Sequence, residues 1–423
     1  MPYNFDTLCV HGAYKAESGQ PNVLPLAQST TYRYYDTDDV AAMFDLTSAT
    51  HMYTRISNPT VQALEAKMAL LEGGVAAVAA ASGQSATLIS LLGLSGAGDH
   101  ILSSANLYGG TNNLVGVSFE KLGISHTFID QDSTVEQIIA AAQPNTKALV
   151  AETLGNPALS ILDFAVWSQA AKQIGVPLIV DNTLATPYLC QPLKHGADIV
   201  IHSTTKYADG HGTSVGGIVV DGGTFDWQNG KFPGLTEPDA SYHGLRYVEA
   251  FGPLAYAVKL RGQMLRDFGC VMAPMNAWLT HMGLETLHLR MQRHSESGLA
   301  VARFLKNHPK VEWVKYPGLE GDRYYDLGQK YLPKGQSGVL TFGVKGGFAA
   351  GRRFIEALEL TCLVVHVGDL RTMVLHPASA THRQLSESEQ IRAGVSPELI
   401  RASIGIEDLD DILHDFETAL SKV

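Results

Sequence analysis

Hydrophobic and polar positions change rhythm twice along this chain. Residues 1–60 are rich in Tyr, Thr and Asn with weak periodicity, which predicts an extended arm. From about 61 to 225, short apolar runs alternate with helical spacing, the pattern of a parallel sheet with crossover helices. Strands are predicted at 75–81, 101–104, 125–129, 148–152, 178–180, 199–202 and 217–220. Several are unbroken Val/Ile/Leu/Ala runs, as expected where both sheet faces are covered. Between them, 163–174 predicts a helix with Phe164, Trp167, Ala171 and Ile174 on one face. The Gly- and Pro-bearing stretch 221–246 reads as a loop that separates two domains. Beyond it, 251–268 and 276–307 read as helices, the second joining the domains. A smaller α+β unit follows: strands at 338–344, 363–367, 373–375 and 400–404, with helices at 349–360 and 409–420. The expected organisation is therefore an arm (1–60), a large domain (61–250) and a C-terminal domain (251–423) made of linking helices and that smaller unit.

Composition narrows the class. Of 423 residues, 45% are hydrophobic and 17% charged, which excludes a disordered chain and suits a large, self-associating α/β enzyme. The net charge of −11 argues against nucleic acid as a partner. Cys9, Cys190, Cys270 and Cys362 are scattered without CxxC spacing, so neither a disulfide framework nor a zinc knuckle is expected, and a reducing cytoplasm is the default. The N-terminal segment lacks the basic-then-apolar pattern of a signal peptide. The charge-free stretch 73–98 has the length of a membrane span. Its polar Ser82-Gly83-Gln84-Ser85 break makes it a buried strand, a turn and a buried helix starting near Thr87, with no membrane role.

Three segments carry candidate chemistry. The apolar strand 199–202 runs into Ser203, Thr204 and Thr205 and then Lys206. A lysine there is costly unless paired or used covalently, and Ser203 and Thr205 are natural donors to a phosphate. The strand 178–180 ends in Asp181, at a spacing that suits a neighbouring strand end. A carboxylate beside a lysine at the C-terminal edge of a parallel sheet fits a pyridoxal phosphate site. The turn Ala81-Ser-Gly-Gln-Ser-Ala86 lets backbone N–H groups approach a phosphate, yet it is neither GxGxxG nor a Walker A motif. Taken singly, each has an ordinary reading: a surface lysine, a helix-capping aspartate, a turn glycine. His195, His202 and His211 lack HxxxH or HExxH spacing, so no metal site is expected.

Together these segments resemble the Cys/Met-metabolism pyridoxal-phosphate enzymes of fold type I. The resemblance covers nearly the whole chain. It includes Tyr53-Thr-Arg-Ile-Ser-Asn-Pro-Thr60, Leu107-Tyr-Gly-Gly-Thr111, Glu152-Thr-Leu-Gly-Asn-Pro157, Gly283-Leu-Glu-Thr-Leu287 and His376-Pro-Ala-Ser-Ala-Thr-His382. It implies a mainly parallel seven-stranded sheet in a large domain plus a smaller C-terminal α+β domain. It implies Lys206 as the Schiff-base lysine, Asp181 as partner of the pyridine nitrogen, and Tyr108 stacked on the ring. Gly83 and Gln84, with Ser203 and Thr205, match phosphate donors. Tyr53 and Arg55 match residues that reach the phosphate of a neighbouring subunit, implying a homo-oligomer, usually a homotetramer built as a dimer of dimers. Arg401 and Asn156 match the contacts to the substrate α-carboxylate.

Within the family, methionine γ-lyases carry Cys where this chain has Gly110, while the 221–246 segment and Val367-Gly-Asp-Leu-Arg371-Thr372 resemble the sulfhydrylases. The expected reaction is O-acetyl-L-homoserine plus sulfide to L-homocysteine plus acetate, as in methionine biosynthesis by direct sulfhydrylation. Cystathionine γ-synthesis or γ-elimination is the alternative within the family, and a non-catalytic binding protein on the same scaffold the alternative outside it. One departure stands out: His366 occupies a place where relatives usually have Ser or Asn near the substrate carboxylate.

Overall fold

A computed structural model describes residues 3–48, 50–380 and 396–423; Thr381 and His382 of the 376–382 motif lie outside the described residues. Seven strands form the large sheet: β1 (Ala76–Ala80), β2 (His100–Ser104), β3 (Ser125–Ile129), β4 (Thr146–Glu152), β5 (Leu178–Asp181), β6 (Ile199–His202) and β7 (Gly217–Asp221). Their order is β1-β7-β6-β5-β4-β2-β3. Pairing is parallel from β6 through β5, β4 and β2 to β3, and only β7 runs against its neighbours. Because β7 opposes both β1 and β6, those two point the same way. The C-terminal ends of β1, β4, β5 and β6 thus share one edge, where ligands of such sheets bind.

The crossover helices start and stop where their side chains dictate. Asn58 accepts from the N–H groups of Thr60 and Val61 before the helix Pro59–Glu72, and Gly73 ends it with φ +80°. Asp163 caps Phe164–Ile174, whose Phe164, Trp167 and Ala171 are buried. The helix after β1 begins at Gly83 rather than near Thr87, because the Ser82 hydroxyl accepts from Ser85 N at 3.1 Å and closes the first turn. The stretch 221–246 packs on the large sheet through Trp227, Phe232 and Leu235. The next segment joins the same core through Tyr256 and Leu260; after the tight turn Gly252–Leu254 it runs as one helix from Ala255 to Phe268, with a π-helical stretch at Leu260–Leu265.

The expected helix over 276–307 is two, Pro274–Glu285 and Leu287–Asn307. At the break, Arg290 donates to Gly283 O (2.6 Å) and also to Tyr207 O (2.7 Å), tying the junction to the turn that follows Lys206. The second sheet holds β8 (Val311–Lys315), β9 (Val339–Val344), β10 (Cys362–Leu363), β11 (Met373–Leu375) and β12 (Leu399–Ser403) in the order β10-β11-β12-β9-β8. Its core gathers Phe342, Phe354 and Phe416. The strand expected at 363–367 ends at Leu363. From there the chain leaves the ladder, and side chains of β12 satisfy its backbone: Arg401 Nη2 donates to His366 O (3.2 Å), and Ser403 Oγ accepts from Gly368 N (3.0 Å). Within the arm, Phe5–His11 and Thr37–Phe44 are helical, and Cys9 is buried in the core of the large unit. Among the described residues, no helix is long and apolar enough to cross a membrane.

Candidate active site

The strand ends of the large sheet and β12 of the small one meet around a cavity of about 250 Å³. Lys206, Asp181, Tyr108, Gly83, Gln84, Ser203, Thr205, Asn156, Arg401 and His366 all line it. Lys206 stands in a turn closed by its own N–H to Ser203 O (3.3 Å) and by Gly210 N to Lys206 O (2.8 Å). Gly368, at φ +79°, lets the small unit come close: a Cβ there would lie 2.8 Å from Tyr207 N. Lys206 Nζ lies 3.1 Å from His366 Nδ1. Burial, aided by the Arg401 charge, lowers the Lys206 amine to about 8.

Asp181 ends β5 beside this lysine. Its Oδ1 accepts from Thr183 N (2.9 Å) and Thr183 Oγ1 (2.5 Å), while Oδ2 takes no hydrogen bond from the described residues. Burial raises its carboxyl, opposed by the Thr183 donors and His202. Behind it, His202 Nε2 lies 2.6 Å from Glu72 Oε1, and Asn182 donates to the same oxygen at 2.8 Å, an interior network of polar side chains.

The helix Gly83–Leu92 points its N-terminus at the cavity, and the N–H groups of Gly83 and Gln84 have no partner among the described residues. Gly83 is required by contact: a Cβ would lie 2.6 Å from Ser203 Cβ. The Ser203 hydroxyl has no partner among the described residues, whereas Thr205 Oγ1 already donates to Gly216 O at 3.1 Å. Tyr108 is half exposed, held through its own N–H to Glu152 Oε1 at 2.5 Å. On the opposite wall, Arg401 Nη1 donates to Asn156 Oδ1 at 3.3 Å, and burial lowers its guanidinium to about 10.

Tyr53 and Arg55 do not line the cavity. The Arg55 guanidinium lies 5.5 Å from the Tyr53 ring centre, and its Nη1 donates to Arg266 O. Among the polar lining residues given no role from the sequence, Glu152 and Thr183 stand out. Glu152 ends β4 as Asp181 ends β5, so the reasoning that found the aspartate also finds the glutamate. Thr183, which fixes Asp181 and accepts from Ser203 N at 2.8 Å, carries no such signal.

The family model for Cys/Met metabolism PLP-dependent enzymes matches residues 6–421. An O-acetyl-L-homoserine sulfhydrylase of Leptospira meyeri is 49% identical, over 100% of this chain and 98% of its own length. O-acetyl-L-homoserine sulfhydrylase 1 of Thermus thermophilus is 45% identical, over 99% of this chain and 100% of its own. A Campylobacter jejuni protein, whose crystal structure carries N'-pyridoxyl-lysine-5'-monophosphate at position 205, superposes with a TM-score of 0.95 at 37% identity, covering 99% of this chain and 100% of that one.

Proposed function

The chain belongs to the Cys/Met metabolism PLP-dependent enzymes, and from that premise we propose that it catalyses a γ-replacement. O-acetyl-L-homoserine and sulfide give L-homocysteine and acetate, the direct sulfhydrylation step of methionine biosynthesis. The observation that carries this reading is one cavity joining Lys206, Asp181, two free helix amides and Arg401, in a chain similar end to end to O-acetyl-L-homoserine sulfhydrylases.

The donors present suit pyridoxal 5'-phosphate. The unpartnered N–H groups of Gly83 and Gln84 and the free Ser203 hydroxyl would hold its phosphate at a helix N-terminus, with Thr205 joining if its hydroxyl turns from Gly216. The open Oδ2 of Asp181 would take the pyridine N–H, the Tyr108 ring would cover one face, and Lys206 Nζ would make the covalent link. When bound, the cofactor supplies an electron sink for the carbanion formed at the amino acid Cα. Arg401 and Asn156 would grip the α-carboxylate, and His366 would contact the substrate nearby. Lys206, as a free amine, takes the Cα proton and returns one; its lowered proton affinity suits that work near neutral pH. The Tyr108 hydroxyl assists proton transfer where acetate leaves.

Tyr53 and Arg55 would serve the phosphate of a neighbouring subunit, in a homotetramer built as a dimer of dimers. The exposure of Tyr35 and Phe44 on the arm, 93% and 62%, supports burial of that surface by another copy. Four unpaired cysteines agree with a cytoplasmic setting. We divide the chain into an arm (1–60), a large unit (61–250) and a C-terminal unit (251–423).

A panel of sulfide, cysteine and methanethiol against O-acetyl- and O-succinyl-homoserine tests the reaction. Homocysteine from O-acetylhomoserine and sulfide, absent in Lys206→Ala, is the expected result. Preferred formation of cystathionine, or keto acid without any thiol acceptor, would replace it with the sister activities. Purified protein without a bound chromophore would favour a non-catalytic role.

A further inference from the structure

Lys206 Nζ and His366 Nδ1 are 3.1 Å apart across the junction of the two units. As an ammonium, Lys206 only donates, so Nδ1 is the acceptor and the imidazole hydrogen sits on Nε2. That Nε2 is buried and has no partner among the described residues, so the ring owes its orientation to Lys206 and to its backbone. The backbone is held firmly: Arg401 Nη2 donates to His366 O, and Gly368 N donates to Ser403 Oγ.

We propose that His366 is a catalytic proton acceptor for Lys206. The N–H bond at Nζ breaks, its electron pair stays on nitrogen, and a new N–H bond forms at Nδ1; the positive charge passes from lysine to imidazole. Four groups set the balance around the ring. Lys206 and Arg401 oppose a charge on it, while Asp369, on its own loop, and Asp209, in the turn after Lys206, favour one. Both carboxylates are buried, at 2% and 1% exposure, so their pull is weakly screened. Burial and Lys206 hold the free imidazole below its ordinary value, which favours its neutral form, with Nδ1 open as an acceptor. The transfer would follow displacement of Lys206 by the amino acid, and so rests on the γ-replacement reading above.

The test uses holoenzyme variants H366N and H366A with two readouts, steady-state kinetics and the pH midpoint of the bound cofactor's visible band. Asn offers an acceptor to Nζ yet cannot take its proton; Ala offers neither. H366N is expected to keep the midpoint, lose about 10²-fold in kcat and lose the acid limb of its pH profile, which in the wild type lies below ~6.5. H366A is expected to lower the midpoint, and free imidazole to restore part of its rate. Unchanged kcat and acid limb in H366N, or an unmoved midpoint in H366A, would overturn the proposal. A wild-type enzyme inactive with O-acetylhomoserine and sulfide sinks the reaction reading instead. The same kinetics and band are then followed on the panel substrate that does turn over, and they decide on His366 by the same outcomes.

Discussion

Glu152 and Asp181 occupy the same rung of the large sheet, closing β4 and β5 side by side, so two carboxyl groups share the floor of one cavity. Burial opposes a charge on both, and more strongly on Glu152. Asp181 has both Thr183 donors, whereas burial and the Asp181 charge push the Glu152 carboxyl well above the usual range. Burial therefore favours the protonated form of Glu152 in the folded chain. A carboxyl raised on folding penalises the folded state as pH climbs above its unfolded value of ~4.3. Glu152→Gln removes that penalty and keeps an acceptor for Tyr108 N. Its stability relative to wild type should increase as pH rises from 5 to 8. Thermal melts across that range check it, and a pH-independent difference would refute the raised Glu152 carboxyl.

Asp181 is the other half of that relationship. Asp181→Asn keeps the shape and the acceptor for Thr183, but removes the charge and leaves an amide at the cavity. The variant should fold with a melting temperature close to wild type and lose about 10²–10³-fold in kcat. Circular dichroism melts and initial rates separate the two effects. Near-normal turnover would remove Asp181 from the chemistry.

How much of this was legible in the sequence depends on how local each cause is. Lys206 and Asp181 stood out because each ends an apolar strand, where an ionisable group is expensive. Most of the seven strands followed from short apolar runs, since their burial is written residue by residue; β3, with no fully buried residue, is the exception. The reversal of β7 was not legible, because its pairing with β1 joins residues more than a hundred apart, and that pairing brings Gly83 against Ser203. Nor was the break at Thr286, which depends on the Arg290 side chain taking the Gly283 carbonyl. β8 escaped notice for another reason: at a sheet edge, Val311–Lys315 has its short apolar stretch broken by Glu312 and ended by Lys315, so it lacks the continuous apolar run. The Lys206–His366 contact joins two sheets, and no local pattern announces it.

Arg401 presents two nitrogens in one plane, Nη1 to Asn156 Oδ1 and Nη2 to His366 O. Lysine keeps the charge but loses the fork that matches a carboxylate. Arg401→Lys should raise KM for the homoserine ester about 10–100-fold and change kcat less. Substrate saturation curves at fixed sulfide test it. A fall in kcat with unchanged KM would place Arg401 in the chemical step instead.

Gly110 leaves room for the ring of Tyr108. A Cβ at position 110 would come within 2.5 Å of Tyr108 Cε1 and 3.3 Å of Gln84 Nε2. The tyrosine backbone cannot yield easily, because its N–H is held by Glu152 and its carbonyl accepts from Thr111 N at 2.8 Å. The ring must swing instead, towards the solvent that already reaches half of it. Gly110→Ala should therefore fold with little loss of stability and lower kcat/KM about 10-fold through a displaced Tyr108. The cause is isolated by a double-mutant cycle with Tyr108→Ala. Once the ring is gone, the added methyl has nothing to displace, so Gly110→Ala should cost nearly nothing more. That outcome is a coupling of about 1 kcal/mol or greater, read from the kcat/KM values of the four proteins. Additive losses would show that the side chain at 110 acts on the site by another route.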